Sequence, residues 1–141
     1  MEQDADANIS THQRSRRTAI IDVSGGALWL YLTEPGTLRP MADCWLANLS
    51  EVGSEPSGRD APPPAPASAI LDDAQPLPAT PQSYRLDWSD DGHSVQASTD
   101  GGSIAFVTAS SKLGFHRDLR VSCPWGAPFD HALHQRVFIS D

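Results

Sequence analysis

Ser83–Ala109 reads SYRLDWSDDGHSVQASTDGGSIAFVTA, and this stretch decides the fold class. Tyr84, Leu86 and Trp88 alternate with Arg85 and Asp87. Val95 and Ala97 then alternate with Ser94 and Gln96, and a third apolar run covers Ile104 to Val107. Period two turns one set of side chains to a core and the other to water. Asp90-Asp91-Gly92 and Asp100-Gly101-Gly102 separate the runs and supply the positive φ values that tight hairpins need. The stretch reads as a three-stranded antiparallel meander.

On its N-terminal side, Thr18–Val23 and Ala27–Thr33 flank Ser24-Gly25-Gly26 and read as a further hairpin. Leu28, Leu30 and Leu32 oppose Trp29 and Tyr31, so neither face of that strand is polar and a cover on both sides is expected. Glu34-Pro35-Gly36-Thr37 places proline and glycine where a type II turn wants them. Asp43–Asn48 (DCWLAN) then reads as a strand.

Two segments read as lying outside this core. Met1–Arg17 is nearly devoid of apolar residues and is expected to be a disordered tail. Its basic cluster, Arg14, Arg16 and Arg17, reads as a solubilising guard beside the first strand. From about 51 to 82 the chain is a flexible Pro/Ala-rich insertion, because eight of the twelve prolines lie between Pro56 and Pro81. Within it Ile70 and Leu71 form the only adjacent pair of large apolar residues, a potential docking patch. Pro63 and Pro66 give a bare P-x-x-P, but Arg59 is out of register for the basic anchor, so the segment reads as a spacer.

On the C-terminal side, Ser110–Ser122 reads as a loop followed by a short strand near Leu119, since Gly114 interrupts either periodicity. Cys123–Pro128 is a stiff loop, and Pro128 suits the first position of a helix through Phe138. Phe129, Leu133 and Val137 would face the sheet, and His131, His134 and Phe138 would face away. The expectation is one mainly β (α+β) domain over 18–141, with six to seven mostly antiparallel strands in a bent sheet or small barrel and one C-terminal helix. Both β-rich halves must share a core, because neither carries enough apolar surface alone.

A net charge of −8, with Lys112 the only lysine, disfavours nucleic acid and anionic membrane as partners. No run approaches the ~20 apolar residues of a membrane helix, and a cytoplasmic setting is expected, with Cys44 and Cys123 as thiols.

The apparent chemical motifs each have a plainer explanation. Asp87–Gly92 matches the first half of an EF-hand loop, but its twelfth position is Ser98 and its flanks read as strands. Trp88–Phe106 resembles one blade segment of β-propeller repeats, and Ser98–Gly102 resembles their Asp-box turn. No second copy exists in the chain, so the resemblance carries over neither fold nor function. His131 and His134 have a helical spacing that suits a metal, without the paired cysteines of a zinc site. No cofactor or metal is expected. Cys123 with His116 or His134 could be named as nucleophile and base, yet no nucleophile elbow, phosphate loop or H-E-x-x-H helix accompanies them, and the balance leans away from an enzyme.

The functional expectation is therefore a small non-enzymatic interaction or regulatory module, binding a protein partner or forming a homo-oligomer. Strand edges and the aromatics Trp125, Trp29 and Phe138, with His131 and His134, are its candidate binding residues. The alternative is a small hydrolase or transferase using Cys123, His116 and His134. A third reading is single-stranded nucleic-acid binding on an aromatic sheet face, which requires Arg85, Arg117 and Arg120 to gather beside exposed rings.

Overall fold

The computed structural model describes residues 8–24, 27–48, 70–71, 77–78, 80–100, 102–122 and 125–139. Its elements are β1 (Asn8–Thr11), β2 (Thr18–Ser24), β3 (Ala27–Thr33), β4 (Pro40–Asn48), β5 (Arg85–Trp88), β6 (Ser94–Thr99), β7 (Gly102–Thr108), β8 (Ser111–His116) and β9 (Ala127–Pro128). They end in a short helix α1 (His131–His134) that runs into a π-helical turn (Gln135–Ile139). The chain is mainly β, as its alternating pattern predicts.

β1 to β4 form one antiparallel sheet, and β5 to β8 form another to which β9 adds in parallel. A single parallel pairing, Asp43 with Leu113, joins β4 to β8. Beyond it β9 bonds to both: its residues Ala127 and Pro128 pair with Phe115 and His116, while Trp45 N–H donates to the carbonyl of Trp125 just before it. Gly114 belongs to β8, which corrects the expected loop there. A Cβ on Gly114 would overlap Cys44 and Val107, so what reads as an interruption is the small residue that lets β8 approach β4.

Both sheets contribute to one core. Ile21, Leu28, Leu30, Leu32 and Leu46 from the first pack with Val95, Ala97, Ile104 and Val107 from the second. The turns follow local chemistry: Gly36 and Gly92 each adopt φ of 74°, and Thr37 N–H closes on the carbonyl of Glu34. Gly25 and Gly26 lie outside the described residues, while Ser24 and Ala27 on either side of them are in register.

The tail expectation for residues 1–17 needs correction from Asn8 onward. Asn8–Thr11 pairs with Thr18–Ile21, so a polar edge strand exists where apolar content is low. What holds it is polar. Asn8 Nδ2 donates to the carbonyls of Pro81 and Tyr84, and Trp88 Nε1 donates to Ser10 Oγ at 2.9 Å. β1 and β5 are the two ends of the strand path, so these side chains close a seam between edges that share no main-chain ladder. Among the described residues the two sheets do not close into a barrel, which settles the small-barrel alternative in favour of the open form.

The insertion expectation, about 51–82, falls largely outside the described residues. Those described are fixed: Ile70 bridges to Leu119, Leu71 N–H donates to Asp118, Pro81 is buried and Tyr84 Oη donates to the Pro78 carbonyl.

The C-terminal helix is shorter than predicted and differently turned. Pro128 ends β9, and Asp130 caps the helix by accepting from Leu133 N–H. The rings that stack on the sheet are Phe129, His134 and Phe138, all around the buried Phe106 of β7.

Candidate functional site

The outer face of the first sheet carries two largely apolar rows that each include one aspartate, and among the described residues only one of the rows is covered. Cross-strand register aligns two rows. In the first, Asp22, Trp29 and Trp45 lie side by side. The two indoles are 4% and 3% exposed beneath Ile70, Leu119 and Trp125. In the second row Ile9, Ile20, Tyr31 and Asp43 are neighbours on β1 to β4. There Ile9 is 58% exposed, while Ile20, Tyr31 and Asp43 are half-buried.

Asp43 is the electrostatic oddity of this face. Partial burial raises its pKa above the ordinary carboxylate value, and no group offsets that shift. It has no ion pair or side-chain hydrogen bond with any described residue. A half-desolvated carboxylate beside an aromatic ring and an open isoleucine row is an unfavourable place for an unpaired charge. The residue was hidden in the sequence as the polar first letter of DCWLAN, where it reads as a strand boundary.

The aromatics singled out from sequence fare differently. Trp29 is buried, which corrects its candidacy as an exposed binding residue; its Nε1 has no hydrogen-bond partner among the described residues. Trp125 is half-buried against the same cluster, acting mainly as a lid over Trp29 and Trp45. Phe138 is half-buried with its ring edge-on to Phe106 at 5.7 Å. The two sheets thus have separate covers on their aromatic outer faces, both supplied largely from beyond β8: the Ile70–Leu119–Trp125 group on the first and the C-terminal helix on the second.

The histidines are not gathered. His131 is exposed and packs on Phe129. His134 Nε2 bonds Gln96 Oε1 at 2.8 Å, and burial, helped by nearby His131, lowers its pKa. His116 is fully buried, its ring tilted against Trp45 with centroids 4.5 Å apart. Its Nδ1 accepts from Asp118 N–H and its Nε2 lies 2.8 Å from the Leu46 carbonyl, so both nitrogens are committed to main chain. Such an imidazole offers nothing to a substrate. Cys123 lies outside the described residues. No group of three potential metal ligands occurs among the described residues.

The arginines needed for a nucleic-acid face are also dispersed. Arg85 pairs with Asp87, Arg117 with Asp118, and Arg120 donates to the Ile70 carbonyl. Among the described residues no helix is long and apolar enough to cross a membrane. Comparison with protein-family models, characterised proteins and solved structures finds no match for this chain.

Proposed function

We propose that this protein is a non-enzymatic interaction module whose outer first-sheet face receives an extended segment of another protein, one carrying apolar side chains and a lysine or arginine. The single observation behind this reading is the half-buried Asp43, without an ion pair among the described residues, at the end of the Ile9–Ile20–Tyr31 row in which Ile9 stands exposed. Apolar contacts would extend the cover that Ile70, Leu119 and Trp125 already give the adjacent row. A cation set against Asp43 would remove the cost of its desolvation and fix the register of the incoming segment. Complementarity sets the partner's charge: a chain of net −8 with one lysine favours a basic visitor over a second copy of itself.

A peptide library displayed on phage and selected on the purified protein tests this. Enriched sequences should combine alternating apolar residues with Lys or Arg, and should lose binding to Ile9→Glu and to Asp43→Asn proteins. No enrichment, or binders indifferent to both substitutions, rejects the reading. Concentration-dependent dimerisation in sedimentation, abolished by Ile9→Glu, would replace the foreign partner with a second copy.

A further inference from the structure

A second place in the fold, remote from the first-sheet face, carries charges of both signs that do not meet. The β5–β6 turn, the β7–β8 turn and the C-terminal helical segment enclose a depression of about 500 Å³. One wall carries Asp90 and Asp91 from the first turn, and another carries Arg136 from the π-helical turn. Leu133, Val137 and Ala109 supply an apolar surface between them. Arg136 and Asp90 have no ion pair or side-chain hydrogen bond with any described residue.

The walls are held rigidly. Asp91 Oδ1 accepts from Ser89 Oγ and from His93 N–H, and these bonds keep its pKa below the ordinary value, so its carboxylate is ionised with one oxygen to spare. Ala109 N–H donates to the His93 carbonyl and ties the two turns together. His93, also on the wall, accepts at Nδ1 from Arg17 Nε at 3.0 Å, which leaves its Nε2 to carry the hydrogen and donate.

Arg17, like Asp43, is a charge without an opposite partner among the described residues. Its side chain is buried, and its described partners are His93, the Thr33 carbonyl and Met41 Sδ, with no carboxylate among them. A desolvated guanidinium without an anion adds positive potential behind His93.

From this arrangement we infer that the depression is a binding site for a small zwitterion of the α-amino-acid class. The ligand's carboxylate is received by Arg136 and by His93 Nε2–H. Its ammonium is received by Asp90 and the second oxygen of Asp91, and its side chain rests on Leu133, Val137 and Ala109. Two opposite charges on separate walls select a ligand bearing both, because an anion alone meets the two aspartates and a cation alone meets Arg136 with Arg17 behind.

The test is a ¹⁵N-HSQC titration of the full chain with free leucine, methionine, phenylalanine and glutamate, each paired with its N-acetyl and its amide derivative. Saturable shifts are expected for at least one free amino acid, centred on the amides of Asp91, His93, Ser110 and Arg136. Both derivatives of that amino acid should bind at least about tenfold more weakly, as should the free form to Arg136→Gln and Asp90→Asn proteins. Asp90 and Arg136 are exposed, so both variants keep the fold and their spectra verify it. Absence of saturable shifts with all four overturns the inference. So does binding of an N-acetyl derivative as tight as the free form, which would mark a simple anion site.

Discussion

His116 Nε2 donates to the Leu46 carbonyl, 70 residues away in sequence, across the fork where β4 and β8 separate. The direction follows from the other nitrogen: Nδ1 accepts from Asp118 N–H, so Nε2 must hold the hydrogen. Burial lowers the His116 pKa to about 4, while the Leu46 bond and Asp118 act in the opposite sense and only partly offset it. The ring is therefore a neutral structural link, packed on Trp45, and its protonation belongs to the unfolded chain.

A histidine whose folded pKa is depressed contributes stability that is complete above its ordinary value of 6.5 and is lost as pH falls toward 4. In that window the unfolded chain binds a proton that the native state refuses. The expected loss is on the order of 3 kcal/mol between pH 7 and pH 4. Urea denaturation of wild type and His116→Gln across this range measures it. The variant is less stable at pH 7, and the gap between the two narrows as pH falls; a gap independent of pH rejects a buried neutral imidazole.

The edge strand gives a sharper distinction between order and disorder at the N-terminus. Asn8 Nδ2 makes two part-buried hydrogen bonds to main-chain carbonyls more than 70 residues away, at 3.1 and 2.8 Å. Asn8→Ala leaves both carbonyls short of a donor and should cost about 1–2 kcal/mol in a chemical melt. A disordered tail would tolerate the change without effect, so a variant with unaltered stability removes β1 from the fold.

These two contacts also mark what the sequence could and could not reveal. The meander was legible because Tyr84–Ala97 alternates cleanly, an apolar run follows at Ile104–Val107 and its Asp-Gly turn has one local solution, and Leu28–Leu32 announced a strand covered on both sides. β1 was not, because NIST owes its place to long-range polar bonds, and no period in the chain encodes Asn8 reaching Tyr84. β8 was obscured by Gly114, whose value depends on Cys44 from another strand. The helix was overextended because Pro128 suits a helix start as well as a strand end, and only its pairing with His116 decides. For the proposed interaction face, the apolar row was visible strand by strand. Its alignment on Asp43 depends on register, which sequence does not give.

Gly36 and Gly92 share φ of 74° but differ in surroundings, which separates backbone strain from close packing. A Cβ on Gly36 meets the end of the Arg16 guanidinium, an exposed chain able to move aside. On Gly92 it would overlap the His12 imidazole and Ser15 Oγ, both fixed in the β1–β2 loop: Ser15 N–H donates to His12 Nδ1 and Arg17 N–H donates to Ser15 Oγ. Gly36→Ala should cost about 1–2 kcal/mol from the left-handed conformation alone. Gly92→Ala should cost clearly more, and His12→Ala should recover part of the difference. Equal losses at the two glycines would show that the loop does not rest on Gly92.

Trp125 allows a structural role and an interface role to be told apart. Its ring lies partly buried over Trp29, Trp45, Leu119 and Ile70, while the hydrogen bond to Trp45 N–H comes from its main-chain carbonyl and survives substitution. Trp125→Ala therefore removes apolar cover while keeping that main-chain bond, and it should destabilise the fold by roughly 2 kcal/mol, below the usual range for a fully buried indole. Trp125→Phe, which keeps an apolar ring over the cluster, should recover much of that loss. Ile9→Glu, on the uncovered row, should leave the melting temperature within a few degrees, because its side chain is already mostly in water. If the pattern reversed, with Trp125→Ala neutral and Ile9→Glu strongly destabilising, the covered and open halves of this face would have been assigned the wrong way round, and the docking row would have to move to the Trp125 side.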